Sequence, residues 1–279
     1  MDTLVFMIVL LSAFLHATWN GMVKNHDDKT VALAGIILGH IPLSILAILI
    51  LPSPKIESFP YIIFSVVIHQ GYQWYLLKSY EIGDLTKVYP IARGSAPLLT
   101  TFVSIFFLGV ILDKLILASI FLICIGIFLL GMHDYKKNNF NLIKYPLITG
   151  IFIGSYSLVD GYGARISESA ISFVSWSFLI NSFIFPFVLR FRGERHVIKR
   201  VYDYGKKIFF YGTTMSYASY ALVVWAFTKA PIPVVSSLRE TSILLSIIIG
   251  YFLLKEKINA TKIISIFLIV IGVIGIKLF

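Results

Sequence analysis

Stretches of apolar residues long enough to cross a bilayer recur along nearly the whole chain, and a bundle of spanning helices absorbs them most readily. A helix rises about 1.5 Å per residue, so about 20 residues cross the hydrocarbon core of a membrane. Windows of that kind fall at Leu4–Val23, Val31–Leu51, Tyr61–Tyr80, Val88–Val110, Leu115–Met132, Pro146–Ala164, Ile171–Leu189, Ile208–Phe227, Ile232–Leu254 and Ile263–Leu278. The predicted fold class is all-α integral membrane with ten transmembrane helices. A soluble fold is a poor alternative, because 58% of the residues are hydrophobic and 14% charged, whereas a globule in water needs a polar skin. The longest polar connection, Arg190–Lys207, is too short and too charged to bury a core of its own. The run Thr3–Leu15 lacks a basic leader and a small-x-small cleavage site and continues through His16, Trp19 and Asn20, so it reads as a first helix rather than a signal peptide.

The 24 Lys and Arg outnumber 14 Asp and Glu, which alone could point to nucleic acid. Their positions argue against it. Only Lys55, Lys114, Arg165, Lys229 and Lys277 lie on the side reached by the even-numbered connections, and Arg93 and Arg239 lie inside spans. All the others fall in or beside the connections after spans 1, 3, 5, 7 and 9. Basic loops stay in the cytoplasm, so both termini are expected outside, in a multi-pass protein of the plasma membrane, a bacterial inner membrane being the natural setting. The one cysteine, Cys124, sits in an apolar run and offers neither a disulfide nor a metal site.

The chain also repeats itself. With a shift of 146 residues, Arg93 falls on Arg239, Leu98-Leu99 on Leu244-Leu245, and Ile125-Gly126 on Ile271-Gly272. Apolar helices resemble one another by chance, but an intramembrane Arg and an interhelical Gly in one register are harder to match. Two repeats are expected, 1–133 and 146–279, joined by a polar linker 134–145. Each holds five spans, an odd number, so the second sits inverted relative to the first, the usual plan of a secondary transporter.

Ionisable groups inside spans cost on the order of 2.5–3.5 kcal/mol at a helix centre, so each needs a reason. Arg93 follows Tyr89-Pro90, and Arg239 follows Pro231 and Pro233, where proline frees backbone groups that can face a cavity. Snorkelling to the interface is the competing reading of either Arg. Asp160 lies about 14 residues, or about 20 Å, into the sixth span, towards the level of Arg239. Asp160 is therefore expected to pair with Arg239 or the adjacent Glu240, and His16 and Asn20 to neighbour Arg93. His16, Trp19 and Asn20 share one helical face, as do His69, Tyr72 and Gln73. Tyr217 and Tyr220 stand in the eighth span; for a single aromatic, belt or core packing competes with a binding role. His40 and His69 read as core histidines with their hydrogen bonds satisfied. His16 is a candidate for proton coupling.

No P-loop, HExxH, Cys-His cluster or GxSxG is present, so neither ATP-driven transport nor a metalloprotease or serine hydrolase is expected. No catalytic residue, metal ligand or cofactor is assigned.

Against that background the chain resembles the EamA-type branch of the drug/metabolite transporter superfamily along almost its full length. The resemblance rests on His16-Ala17-Thr18-Trp19-Asn20, on Gly83-Asp84 followed by Val88-Tyr89-Pro90-Ile91-Ala92-Arg93-Gly94, on Tyr156-Ser157-Leu158-Val159-Asp160-Gly161, and on the repeat end through Lys255-Glu256 and Gly272. Val110-Ile111 lacks the acidic residue often found at its place in the first repeat. The resemblance implies a solute carrier with a central cavity lined by the first, third, fourth, sixth, eighth and ninth spans. Two Arg, Asp160, Glu240 and many aromatics suit a small polar or zwitterionic metabolite, amino-acid-like or amine. Arg holds a carboxylate or phosphonate, while aromatic faces and an acid hold an ammonium. The expected substrate site is His16, Trp19, Asn20, His69, Tyr72, Gln73, Tyr89, Arg93, Asp160, Tyr217, Tyr220, Arg239 and Glu240. The partners are a small-molecule solute and the lipid bilayer, with no nucleic acid. The alternatives are a multidrug or amphiphile exporter, a lipid-handling membrane protein or an intramembrane enzyme.

Overall fold

All ten apolar windows coincide with helical segments in the computed structural model, which describes residues 1–82, 85–132, 140–254 and 259–279. The helices are α1 (Thr3–Asn25), α2 (Lys29–Ile50), α3 (Phe59–Ile82), α4 (Leu85–Phe106), α5 (Lys114–Met132), α6 (Asn141–Ser167), α7 (Ala170–Phe191), α8 (Val197–Tyr204), α9 (Thr213–Phe227), α10 (Ile232–Arg239), α11 (Thr241–Leu254) and α12 (Ala260–Leu278). No strand occurs among the described residues. Linker residues 134–139 and the motifs Gly83-Asp84 and Lys255-Glu256 lie outside the described residues.

Local chemistry sets the helix ends. The Asp2 carboxylate accepts from the N–H groups of Leu4 (2.8 Å) and Val5 (3.1 Å), and Asp28 does the same for Thr30 and Val31 at 3.0 Å. Asn259 caps α12 through Lys262 N–H at 2.9 Å. Each side-chain oxygen satisfies backbone donors that a first turn leaves free. At the end of α9 the guanidinium of Arg165 donates to the carbonyls of Phe227 (2.7 and 2.9 Å) and Ala230 (3.0 Å), a cation where the helix dipole is negative.

Among the described residues six helices are long and apolar enough to cross a membrane by length and composition, namely α1, α2, α5, α6, α7 and α12. The remainder depart from that pattern in informative ways. Helix α3 carries His69, Gln70 and Gln73 in its middle. A single π-helical turn, Ile208–Gly212, precedes α9. The ninth apolar window is broken between α10 and α11, at Glu240. In α3 and at the break beside Glu240, polar groups turn inward: His69, Gln73 and Glu240 are all buried.

Helix α5 packs on α12, α2 on α7, α3 and α4 on α6, and α1 on α9, α10 and α11. The α5–α12 crossing is reciprocal. A Cβ on Gly126 would stand 2.9 Å from the Ser265 carbonyl and 2.8 Å from Ile269, while one on Gly272 would stand 2.6 Å from both the Ser119 carbonyl and Ile123. Only glycine lets these backbones approach so closely. Cys124 is buried in this layer as a free thiol.

At one end of the bundle Arg200 bridges Asp28 and Glu194, and Arg192 pairs with Glu81 while lying 4.8 Å over the Trp74 ring. At the other end Lys55 meets Glu168 at 2.6 Å, which raises the ammonium above its ordinary pKa, and Lys277 donates to Thr3 Oγ1 at 2.8 Å.

Candidate functional site: a polar cavity inside the bundle

Helices α1, α2, α3, α6, α7, α9 and α10 leave a hollow between them, with about 60 Å³ open to water centres. A single water needs about 10–15 Å³ on that measure, so the hollow admits a few waters or a small polar group. Seven of the sequence-predicted residues line it: His16, Trp19, His69, Tyr72, Gln73, Tyr220 and Arg239. The other six surround it. Tyr89 hydrogen-bonds His16 Nε2 at 3.0 Å. Arg93 and Glu240 pair with each other, and Asp160 accepts the Tyr220 hydroxyl. Asn20 donates to its own helix, at the His16 carbonyl (2.8 Å), and Tyr217 bonds Ser175 at 2.5 Å.

The buried charges are arranged differently from the sequence expectation. Asp160 does not pair with Arg239 or Glu240. Glu240 sits one residue beyond Arg239, at the break after α10, and this rotation turns it towards α4, on which α10 packs. Its Oε2 lies 2.9 Å from Arg93 Nε, at side-chain exposures of 1% and 3%. The two atoms attract by charge without a well-aligned N–H···O bond, and neither has another partner. Arg93 Nη2 also donates to Ser242 at 3.2 Å. The expected neighbourhood of His16 and Arg93 is formed through Tyr89: His16 bonds its hydroxyl, and the Arg93 guanidinium lies 5.7 Å from its ring.

Arg239 is therefore left outside any ion pair among the described residues. It is 4% exposed, lines the hollow, rests 5.6 Å from the Tyr220 ring, and has a buried Nε with no acceptor. Among the described residues no carboxylate lies within ion-pair distance of it. On the far side of the same Tyr220, Asp160 keeps a buried Oδ1 without a donor.

Aromatic rings form one wall. His69 stacks on Tyr156 at 4.2 Å, Phe178 on Tyr220 at 5.2 Å, and His40 on Phe178 at 4.3 Å. His40 corrects the sequence reading. Both its ring nitrogens lack a partner, so it is not a satisfied core histidine but a polar group facing the hollow. His69 combines the two roles, since its Nδ1 meets the Ser65 carbonyl at 2.9 Å while its ring lines the space. The sequence reading also missed α2 and α7, which supply His40, Phe178 and Asn181. An Asn inside an apolar span was the available signal for α7. Helix α4 was expected to line the cavity; its described residues instead support it from behind, through Tyr89 and Arg93.

Residues 143–278 match the sequence model of the EamA-like transporter family, part of the drug/metabolite transporter superfamily. The second half of the chain carries this family's sequence signature. The protein is a multi-pass membrane transporter. A crystal structure of a protein 13% identical to it covers 100% of this EamA-like transporter and 98% of the other chain at a TM-score of 0.74, a likeness of fold. No curated protein matches the chain. Among the described residues the transporter has no cluster of metal-ligating side chains, and its four buried formal charges, Arg93, Glu240, Asp160 and Arg239, form one closed pair and one open one.

Proposed function

We propose that this EamA-like transporter carries a small zwitterionic metabolite, amino-acid-like or a polar amine, by alternating access of two inverted five-helix repeats around the central hollow. The observation that carries the reading is the uncompensated Arg239. The repeat register explains why it is free: Glu240, which neutralises Arg93, corresponds to Gly94 in the first repeat, so Arg239 has no symmetric carboxylate. A substrate carboxylate or phosphonate fits that vacancy by paired hydrogen bonds. The substrate ammonium fits between the aromatic wall and Asp160, one ring away.

Three features support the two-repeat plan. Packing partners persist when the halves are exchanged: α3 on α6 corresponds to α9 on α1, and α4 on α6 to α10 and α11 on α1. The contacts of Gly126 with Ser265 and Ile269 correspond residue for residue to those of Gly272 with Ser119 and Ile123. The broken ninth span places charged side chains at a helix interruption, as transporter sites commonly do. His16, facing the hollow and bonded to Tyr89, is the group we assign to proton coupling. The basic end, with Arg192 and Arg200, is assigned to the cytoplasm of a bacterial inner membrane.

The test is thermal unfolding of purified protein against amino acids, their decarboxylated amines and aminophosphonates, followed by uptake in proteoliposomes. Zwitterions should stabilise, and the matching amines should not. Arg239→Ala should weaken binding by about tenfold to a hundredfold, the value of a hydrogen bond to a charged group. Amines binding as well as their parent amino acids, unaffected by Arg239→Ala, would instead indicate a cation or drug exporter.

A further inference from the structure

A second and larger concavity, about 570 Å³, opens on the side of the molecule between α2, α8 and the π-helical turn before α9. We infer that it is a binding site for an anionic phospholipid, with an acyl chain in the groove and the phosphate at Lys206. The site is separate from the central hollow, and the inference does not depend on the substrate proposed above.

The walls are apolar. Leu38, Ile41 and Pro42 of α2 form one side, Val201 and Tyr202 of α8 another, and Phe209 the floor, with Lys206 the single charged residue of the lining. Amphipathic α8 explains the shape. Val197 and Val201 are buried against α2, while Ile198 and Tyr202 stay exposed at 59% and 71%. Gly35 brings α2 up to the turn that follows α8, since a Cβ there would lie 3.0 Å from Ile208 Cγ2. Depth favours a lipid tail. Leu38–Pro42 lie 9 to 13 residues beyond Lys29, the start of α2, or about 14–20 Å along the helix. That is roughly the depth of one leaflet of an about 30 Å core. Water has no reason to fill such a space, and an acyl chain does.

Charge selects the headgroup. Around α8 stand Arg190, Arg195, Lys199, Lys206 and Lys207, all exposed. Of the nearby carboxylates, Asp28 and Glu194 are engaged by Arg200, while Asp203 of α8 is exposed and forms no ion pair with Lys206. Lys206 has no carboxylate within ion-pair distance among the described residues and lies 4.6 Å over the Tyr202 ring, at the mouth of the groove. An apolar slot beside amphipathic α8, with the ammonium of Lys206 at the polar end just beyond that helix, matches a phosphate-bearing amphiphile.

Native mass spectrometry in a neutral detergent, with phosphatidylglycerol or phosphatidylcholine of the same chains, tests this. One phosphatidylglycerol should remain bound at activation energies that strip phosphatidylcholine. Lys206→Gln should weaken its retention about fivefold, the effect of one basic residue near a lipid surface. Ile41→Trp, which fills the slot and leaves every charge in place, should abolish retention. Equal retention of both lipids, loss with Lys199→Gln but not Lys206→Gln, or undiminished retention by Ile41→Trp would each overturn the site in favour of general attraction to the basic face. Displacement by glycerol phosphate alone would likewise overturn it, by showing a headgroup site with no tail.

Discussion

A charge enclosed by apolar helices is stable only where something answers its field, and the four interior charges divide on that point. Arg93 and Glu240 answer each other, so removing one partner strands the other. Glu240→Gln should cost about 3–5 kcal/mol, whereas Arg93→Met with Glu240→Leu should recover most of that loss, because a packed apolar pair often replaces a buried ion pair at little cost. Thermal unfolding in detergent reads both, and a double variant no better than the single would refute the pairing. Arg239 has no such partner, so Arg239→Met should leave the midpoint near that of the parent while ligand-induced stabilisation disappears. Both arginines were legible in sequence, since a cation inside an apolar window needs a protein-side reason. Their partners were not. Glu240 and Arg239 are neighbours in the chain but face different helices, and only the packing of α10 on α4 decides which carboxylate Arg93 receives. His40 was misread for a related reason: its environment is set by Phe178 on α7, which no spacing within α2 reveals.

At the level of helices, hydrophobic length alone located the helical segments, six of them long and apolar enough to cross a membrane among the described residues, because about 20 residues of apolar sequence have few alternatives in lipid. Interruptions were less visible. Proline at 231 and 233 announced the start of α10, but nothing in the run Thr241–Leu254 announced the break at Glu240, and the π-helical turn before α9 has no proline or glycine at its start. That turn is held by a close approach to α2. A Cβ on Gly39 would stand 2.7 Å from the Phe209 carbonyl and 2.9 Å from Thr213 Cβ, and Thr213 Oγ1 donates to the Ile36 carbonyl at 3.1 Å. Gly39→Ala should therefore push α2 from α9 and destabilise by about 1–3 kcal/mol, the usual range for overpacking. Adding Thr213→Ala should remove the clash with the Thr213 hydroxyl, the nearest atom of all, but keep those with Cβ and the Phe209 carbonyl, leaving the double variant still below the parent in thermal midpoint. Full recovery would mean the backbones are farther apart than described.

The molecule as a whole has two chemically unlike ends, and each offers a test of the proposed sidedness and motion. Arg192 and Arg200 gather Glu81, Asp28 and Glu194 at one end, while Lys55 and Glu168 face each other at the other. Cys124 is buried and so silent towards membrane-impermeant thiol reagents, which lets a new cysteine report alone. In intact cells, Glu57→Cys should label from outside and Lys199→Cys only after permeabilisation; the reverse order would invert the assigned topology. The Lys55–Glu168 contact also joins the first half of the chain to the second, with the Lys55 amide 3.5 Å from the Ser167 carbonyl. If solute moves because the halves rock about the hollow, a tie across this end must stop uptake without touching the site around Arg239. Paired cysteines at 55 and 168, bridged by a short bis-thiosulfonate, should abolish uptake in proteoliposomes and restore it on reduction, with ligand-induced thermal stabilisation unchanged throughout. Uptake that survives quantitative bridging would mean this end does not open during transport, and the moving element would then have to be sought at the Arg200 end.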